Sequence, residues 1–493
     1  SPAIALAQPR AVEKCGLVAT LGVAAGFLLA SWLLSAVPAL GLAGLPPSAE
    51  IRIDMRVAGF AMLLAVGTAV LFGSVPAAFA SRLGAVAGLR NAARDGGRGS
   101  GRPRNALVAA EVALAMILLV GAGLLARSFW RLTQVDPGFR TERLVAVPLS
   151  LAGNGRQTGA ERYAFLNQVL GRLQELPGVE DVTAVNRLPL GGPNVLVGVE
   201  AEAEPSPDGF GVSTDRRVVT PGYFDIMGIE LIDGRAFDAR DNADTGTPAA
   251  ILNQQAARLL WPDQQALGRR LHLRLRGGPG PWRTVVGVVG AVHHHGLDRA
   301  VRPEVYVPYA QASVETMVAL LRGPADLAAL KPLIQDAIWD LDPNLPLDGV
   351  QDVEAVVSAS VSEPRFRALL LSAFASLALL LAAIGVASVI SVSVAQRTRD
   401  IAIRVALGAQ RGEILWMNVR EGLALGALGA AIGLAGSVAL SRLVEALLFE
   451  VTPNDPLTLA AAAAGLLLVV AAASYLPARR ATRIDPLEAM RAQ

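Results

Sequence analysis

Apolar and polar residues are distributed very unevenly along this chain. Residues 16–39, 57–80, 107–125, 368–394, 423–443 and 457–476 each form an apolar run. Each is close to the roughly 20 residues a helix needs to cross about 30 Å of hydrocarbon. The run 57–80 is interrupted only by small residues such as Gly67, Thr68 and Gly73. Membrane helices tolerate these because neighbouring helices re-satisfy the backbone. Between the third and fourth runs, residues 130–364 carry an ordinary polar content. The pattern predicts an α-helical membrane protein of about six transmembrane helices, with one large α+β periplasmic domain between the third and fourth.

Inside the polar stretch the periodicity changes. Tyr163, Leu166, Val169, Leu170, Leu173 and Leu176 recur at helical spacing, and Pro177-Gly178 ends the run before a strand over 179–185. Leu327, Leu330, Leu333, Ile334, Ile338 and Leu341 form a second such helix, ended by Asp342-Pro343. Between them lie strand candidates at 249–252, 270–275 and 284–292. The reading is two βαβ-like lobes flanking a β-rich insertion.

Composition agrees with a membrane location. Of 493 residues, 53% are hydrophobic and 17% charged, too apolar for an ordinary soluble chain. Net charge is +2, which gives no reason to expect nucleic acid as a partner. The lone Cys15 excludes an intrachain disulfide and a cysteine-rich metal site. Arginine placement sets the orientation. Arg82, Arg90, Arg94, Arg98, Arg102 and Arg104 follow the second run; Arg397, Arg399, Arg404, Arg411 and Arg420 follow the fourth; Arg479, Arg480, Arg483 and Arg491 follow the sixth. The loops on the other side hold only Arg52 and Arg56. Basic loops stay cytoplasmic. Both termini are therefore expected in the cytoplasm of a bacterial inner membrane, and the large domain in the periplasm. The competing reading of 16–39 is a cleaved signal peptide behind Arg10 and Lys14, for which the run is long.

The end of the second run, Pro76-Ala77-Ala78 with Arg82 and Arg90, repeats at the end of the sixth as Pro477-Ala478 with Arg483 and Arg491. Asp54 and Asp455 fall on the same offset. The chain therefore divides into four segments. Residues 1–104 hold the last two spans of a first repeat and a basic loop. Residues 105–129 hold the first span of a second repeat, and 130–364 the outer domain. Residues 365–493 hold three further spans.

Candidate chemistry is sparse. No G-x-x-x-x-G-K-[ST] loop, G-x-S-x-G elbow or H-E-x-x-H pair occurs, so no catalytic residue, metal or cofactor is assigned to this chain. His293-His294-His295, with His272 upstream, lacks a regular ligand spacing and reads as a turn after a strand. Glu111 lies early in the third span, close enough to its end to reach the interface or pair with an arginine. Gly422, Gly426, Gly429 and Gly433 have the small-xxx-small spacing of a helix-packing face. In the segment 395–422, Asp400 and Arg404 have i,i+4 helical spacing, and Gly408 breaks the helix. Spacing alone leaves two readings: a short helix that enters a partner protein, or a solvated basic loop that fixes topology.

In the outer domain the runs Val219-Thr220-Pro221-Gly222-Tyr223-Phe224, Gly234-Arg235-Ala236-Phe237, Leu260-Trp261-Pro262, and Arg302-Pro303-Glu304-Val305-Tyr306-Val307-Pro308 resemble the FtsX-like, macrolide-exporter-type ABC permeases. Gln396 to Ala409 resembles the family's coupling segment, and Pro477-Ala478-Arg479-Arg480-Ala481 with Ile484-Asp485-Pro486 its tail. The first 104 residues look like the end of a preceding copy, as in duplicated permeases of this family. The resemblance implies that Arg399, Asp400, Ile403, Arg404, Leu407 and Gly408 couple the membrane helices to a cytoplasmic ABC ATPase, on which ATP is held. The bilayer and a periplasmic adaptor or second permease half are the other partners it implies. The expected function is a permease subunit that turns ATP hydrolysis on that ATPase into movement of the outer domain, for export or extraction of a substrate. The alternative is a non-transporting signal transmitter that regulates a periplasmic partner such as a cell-wall hydrolase.

Overall fold

The computed structural model describes residues 102–481 apart from 153–155, 193–194, 203–210, 242–246, 276–277, 313, 324–326, 348, 398–402, 405–406 and 408, together with a few residues between 22 and 63. The expected spans 16–39 and 57–80, the first copy of the repeated pattern and the tail beyond 481 lie largely or wholly outside the described residues. The chain divides into two compact units. One is Leu132–Val361; the other joins Ser1–Arg131 to Ser362–Gln493.

Helix α1 (Arg102–Leu132) contains the apolar run 107–125 and leads into the outer unit. There the chain forms β1 (Leu144–Ser150), α2 (Gly159–Gln174), β2 (Asp181–Val185), β3 (Val195–Ala201), β4 (Val212–Val219), α3 (Tyr223–Met227), β5 (Leu231–Gly234) and β6 (Ala249–Asn253). It continues through α4 (Gln254–Leu260), β7 (Arg270–Leu275), β8 (Gly278–Pro279), β9 (Arg283–Val289), β10 (Glu304–Pro308), β11 (Thr316–Arg322), α5 (Leu327–Trp339), β12 (Gln351–Asp352) and α6 (Val353–Ser360). Helix α2 starts at a capping box. The Thr158 hydroxyl accepts from the Glu161 N–H, and the Glu161 carboxylate accepts from the Thr158 N–H.

The expected two lobes form one sheet. Its order is β2-β11-β1-β12, with β11 antiparallel to both β1 and β2. Each βαβ half alone leaves an open strand edge. Placing β11 between β1 and β2 pairs both edges at once. Strand alternation then sorts the side chains. Val145, Val147, Leu149, Met317, Ala319 and Leu321 face the core with Leu166, Val169 and Leu173 of α2 and Leu330, Ile334 and Ile338 of α5. Leu144, Ala146 and Leu320 face a second core with Val353 and Val356 of α6.

The insertion closes on itself. Strands follow the order β10-β6-β9-β7-β3-β4, and β10 returns to β4 in parallel register from Glu304↔Asp215 to Pro308↔Val219. This ring has no free outer strand in that circuit. Among the described residues, it joins the sheet through the pair Val185↔Val219.

The membrane unit continues with α7 (Ser362–Gln396), α8 (Arg411–Glu445) and α9 (Pro456–Ala481). Among the described residues, these and α1 are the 4 helices long and apolar enough to cross a membrane. Val108, Val112 and Met116 of α1 pack with Val386, Val389 and Ile390 of α7 and with Leu466 and Val470 of α9.

Candidate functional site

The membrane unit holds the coupling segment and the glycine face singled out from the sequence, while His272 and His293 to His295 lie in the outer unit. Arg399, Asp400 and Gly408 lie outside the described residues. Ile403, Arg404 and Leu407 lie in a helical turn between α7 and α8, in which the Leu407 N–H donates to the Ile403 carbonyl at 3.0 Å. Spacing i,i+4 puts Ile403 and Leu407 on one side of that turn. They are 45% and 83% exposed, so the segment presents an apolar pair rather than a purely charged loop. The Arg404 guanidinium donates to Met417 Sδ at 3.5 Å, which ties the turn to α8. The two helices beside it are fastened by Glu421. Its carboxylate accepts from the Ser393 hydroxyl at 3.3 Å and from Arg397 Nη1 at 3.2 Å.

The glycine face of α8 divides between two neighbours. A Cβ at Gly422 would collide with Ser474 Oγ, and one at Gly426 would lie 2.8 Å from Val470 Cγ1, both on α9. A Cβ at Gly429 would lie 2.7 Å from Val112 Cβ and 2.8 Å from the Ala109 carbonyl. At Gly433 it would lie 2.5 Å from Met116 Cβ and 2.6 Å from the Ala113 carbonyl, all on α1. Without a hydrophobic drive between helices in lipid, such close approach supplies the dispersion that holds them. Gly385 of α7 likewise leaves room for the Glu111 carboxyl, whose Oε2 would lie 2.6 Å from a Cβ there.

Two features escaped the sequence reading. Asp455 pairs with Arg127 of α1 and caps α9, accepting from the Thr458 N–H at 2.9 Å and hydroxyl at 2.6 Å. Its signal was visible as Asp455-Pro456, a cap followed by proline at the first helical position. The hydrogen bond from the Thr458 hydroxyl holds the Asp455 carboxyl below its ordinary range, and Arg127 adds to this. The Ser128 hydroxyl accepts from the Phe449 N–H at 2.8 Å, and Arg131 donates to the Glu450 carbonyl. Three residues at the outer end of α1 therefore grip the turn between α8 and α9.

Comparison with known proteins follows the same division. The FtsX-like permease C-terminal family matches residues 372–486, and the MacB-like periplasmic core domain matches residues 106–337. The chain is 27% identical over 277 residues to the macrolide export ATP-binding/permease protein MacB 1/2 of Paracoccus denitrificans, covering 54% of this chain and 40% of that protein. It is 29% identical over 291 residues to the MacB of Agrobacterium fabrum, covering 54% and 42%. This chain thus spans about 40% of the length of these relatives. The periplasmic region of MacB from Actinobacillus actinomycetemcomitans aligns with 46% of this chain and 95% of its own length, at 13% identity and a TM-score of 0.31.

Proposed function

This chain belongs to the FtsX-like, MacB-type ABC transporter permeases, and on that premise we propose that it acts as a permease subunit driven by a separate cytoplasmic ATPase. It is a membrane permease with a large periplasmic domain. The reading assigns ATP binding and hydrolysis to the partner and none to this chain. In it, the six expected spans place both termini and the segment 395–422 in the cytoplasm.

One observation carries the coupling role. Ile403 and Leu407 stand exposed on the turn between α7 and α8, and Arg404 anchors that turn to Met417. An exposed apolar pair on a pinned turn is suited to a groove on a partner. Movement of such a turn would reach the outer domain through α1 and α7, because the domain is inserted in the chain between Leu132 and Val361. The further partners proposed are a periplasmic adaptor and a second permease half. The work done on a substrate would then be export or extraction on the periplasmic side.

The test is co-expression of the chain with candidate ABC ATPases and measurement of vanadate-sensitive ATP hydrolysis in membranes. Asp400→Ala/Arg404→Ala is expected to abolish complex formation and stimulated hydrolysis. Unchanged complex and activity would remove the coupling role. Crosslinked recovery of a cell-wall hydrolase on the outer domain, with export unaffected by deletion, would favour signalling over transport.

A further inference from the structure

Two arginines enter the interior of the β-ring. Strand alternation puts Arg216 of β4 on the face of Val218, and Arg283 of β9 on the face of Val285. Val218 and Val285 belong to the core that also takes Val305 and Leu271, the partners of Arg216 on β10 and of Arg283 on β7. The two arginines face each other across the ring. Registers followed one way, from Arg216 through Val305 and Leu252, arrive on β9 at Val288, beyond Arg283. Followed the other way, through Val195 and past the end of β7, they arrive short of Arg283. In a ring of tilted strands, the residue opposite lies between these two levels.

Neither charge is balanced. Arg283 is 4% exposed, and its guanidinium bonds to neutral oxygens. Its Nη1 donates to the Ala249 carbonyl at 3.2 Å and to Gln311 Oε1 at 2.7 Å, and its Nη2 to the Gln311 carbonyl at 3.1 Å. Arg216 is half-buried, and its Nε is enclosed with no hydrogen-bond partner among the described residues. No carboxylate among the described residues pairs with either arginine. The next residue, Arg217, shows the usual arrangement, paired with Glu304 on the other face of the strand. Burial, with the charge of Arg216 added, pushes the Arg283 guanidinium down to about 10, so it stays cationic at neutral pH. Guanidinium groups keep their charge throughout the physiological range, so the imbalance hinges on no titration state.

We propose that Arg216 and Arg283 together bind a dianionic oxyanion, such as phosphate, a phosphomonoester or sulfate, at one end of the ring interior. Access comes from the strand ends. Arg283 begins β9, and Val195, the partner of Arg216, begins β3 and is 41% exposed. Two fixed cations match two negative charges, whereas a carboxylate or a phosphodiester leaves one cation unmatched. The forked N–H donors of a guanidinium suit the oxygens of phosphate and sulfate. Arg283 is already held in place by its bonds to Ala249 and Gln311, so little freedom is lost when the anion arrives. The unpartnered Arg216 Nε supplies a donor that no described residue uses.

The test is binding of radiolabelled inorganic phosphate to the full chain in nanodiscs, at constant ionic strength and about pH 8, where phosphate is a dianion. Saturable binding is expected, weakened at least about tenfold by Arg216→Gln and less by Arg216→Lys. Acetate and dimethyl phosphate, both monoanions, should compete poorly. Phosphate should raise the melting temperature of the wild type to a plateau and leave that of Arg216→Gln unmoved. Arg283 also ties β6 to the turn after β10, so Arg216→Gln, which cuts no such tie, carries the decision. Without phosphate that variant should melt no lower than the wild type, since it removes an unbalanced charge. Absence of saturable binding, undiminished binding by Arg216→Gln, or competition by acetate equal to that by phosphate would overturn the proposal. So would binding that appears only in Asp244→Asn, because the chain's own acidic residue would then be the anion.

Discussion

Asp455 joins the outer ends of two membrane helices, capping α9 through Thr458 while pairing with Arg127 of α1. Replacing Asp455 by Ala removes both roles, and Asp455→Asn keeps a capping oxygen but not the charge. Asp455→Ala is expected to cost about 1 kcal/mol from the cap alone, with a smaller loss for Asp455→Asn. Thermal unfolding of the detergent-solubilised chain reads the order. The carboxyl is depressed below 3.8, so its contribution is present above that value and fades as pH falls below it. Equal melting of the two variants would show that the cap does not matter.

Backbone contacts decide which glycines of α8 tolerate a methyl group. Gly429 and Gly433 face the carbonyls of Ala109 and Ala113, which cannot rotate away. Gly412 of α8 and Gly465 of α9 have nothing within 4 Å. Gly429→Ala and Gly433→Ala are expected to destabilise by about 1–3 kcal/mol. Gly412→Ala and Gly465→Ala should be neutral or stabilising by up to about 1 kcal/mol, from helix propensity. The folded fraction surviving heating in detergent separates the pairs. A Gly433→Ala variant as robust as Gly465→Ala would contradict the close packing.

The membrane helices were legible because hydrocarbon imposes a length. The runs 107–125, 368–394, 423–443 and 457–476 each fall inside α1, α7, α8 or α9. Their ends were not, since α7 extends to Ser362 and Gln396, beyond the apolar run 368–394 at both ends. Glycine spacing marked a packing face. That the face serves α9 at Gly426 and α1 at Gly433 depends on how the helices cross, which no local pattern encodes. Helical and strand periods located α2, α5, β6, β7 and β9, but the interleaving of β11 between β1 and β2 is a long-range pairing. The three histidines after β9 read as a turn for a similar reason. His295 meets Asp215 across 80 residues, on the strand β4 with which β10 pairs.

Arg217 and Glu304 make a buried ion pair whose halves cannot be removed singly. Glu304→Gln leaves the Arg217 guanidinium buried without its anion, at a cost of about 3–5 kcal/mol. The double variant Arg217→Met/Glu304→Leu removes both charges and is expected to lose much less. Burial alone would raise the Glu304 carboxyl. The charges of His294 and Arg217, with the hydrogen bonds from His294 and Tyr306, outweigh it and hold the group at about 2, against an ordinary 4.5. A depressed carboxylate stabilises the fold above its unfolded value. That stability should therefore be full above about 4.5 and lost as pH falls from there toward about 2. Urea unfolding across that window, followed by the buried Trp261, measures it. A Glu304→Gln loss no greater than that of the double variant would refute the pair's role.

Leu407 distinguishes a coupling turn from a loop that only fixes topology. It is 83% exposed, so Leu407→Asp should leave folding and membrane insertion unaltered. An apolar anchor at a docking site typically costs more than about 1–2 kcal/mol when lost, and a buried charge costs more than simple truncation. Leu407→Asp is therefore expected to weaken binding of the cognate ATPase at least about tenfold, and Ile403→Asp similarly. Co-purification and ATPase titration on nanodisc-embedded permease measure both, and the thermal stability of each variant is the control. A topology-fixing loop predicts the opposite pattern, in which added acidic residues disturb insertion while any remaining complex keeps its affinity.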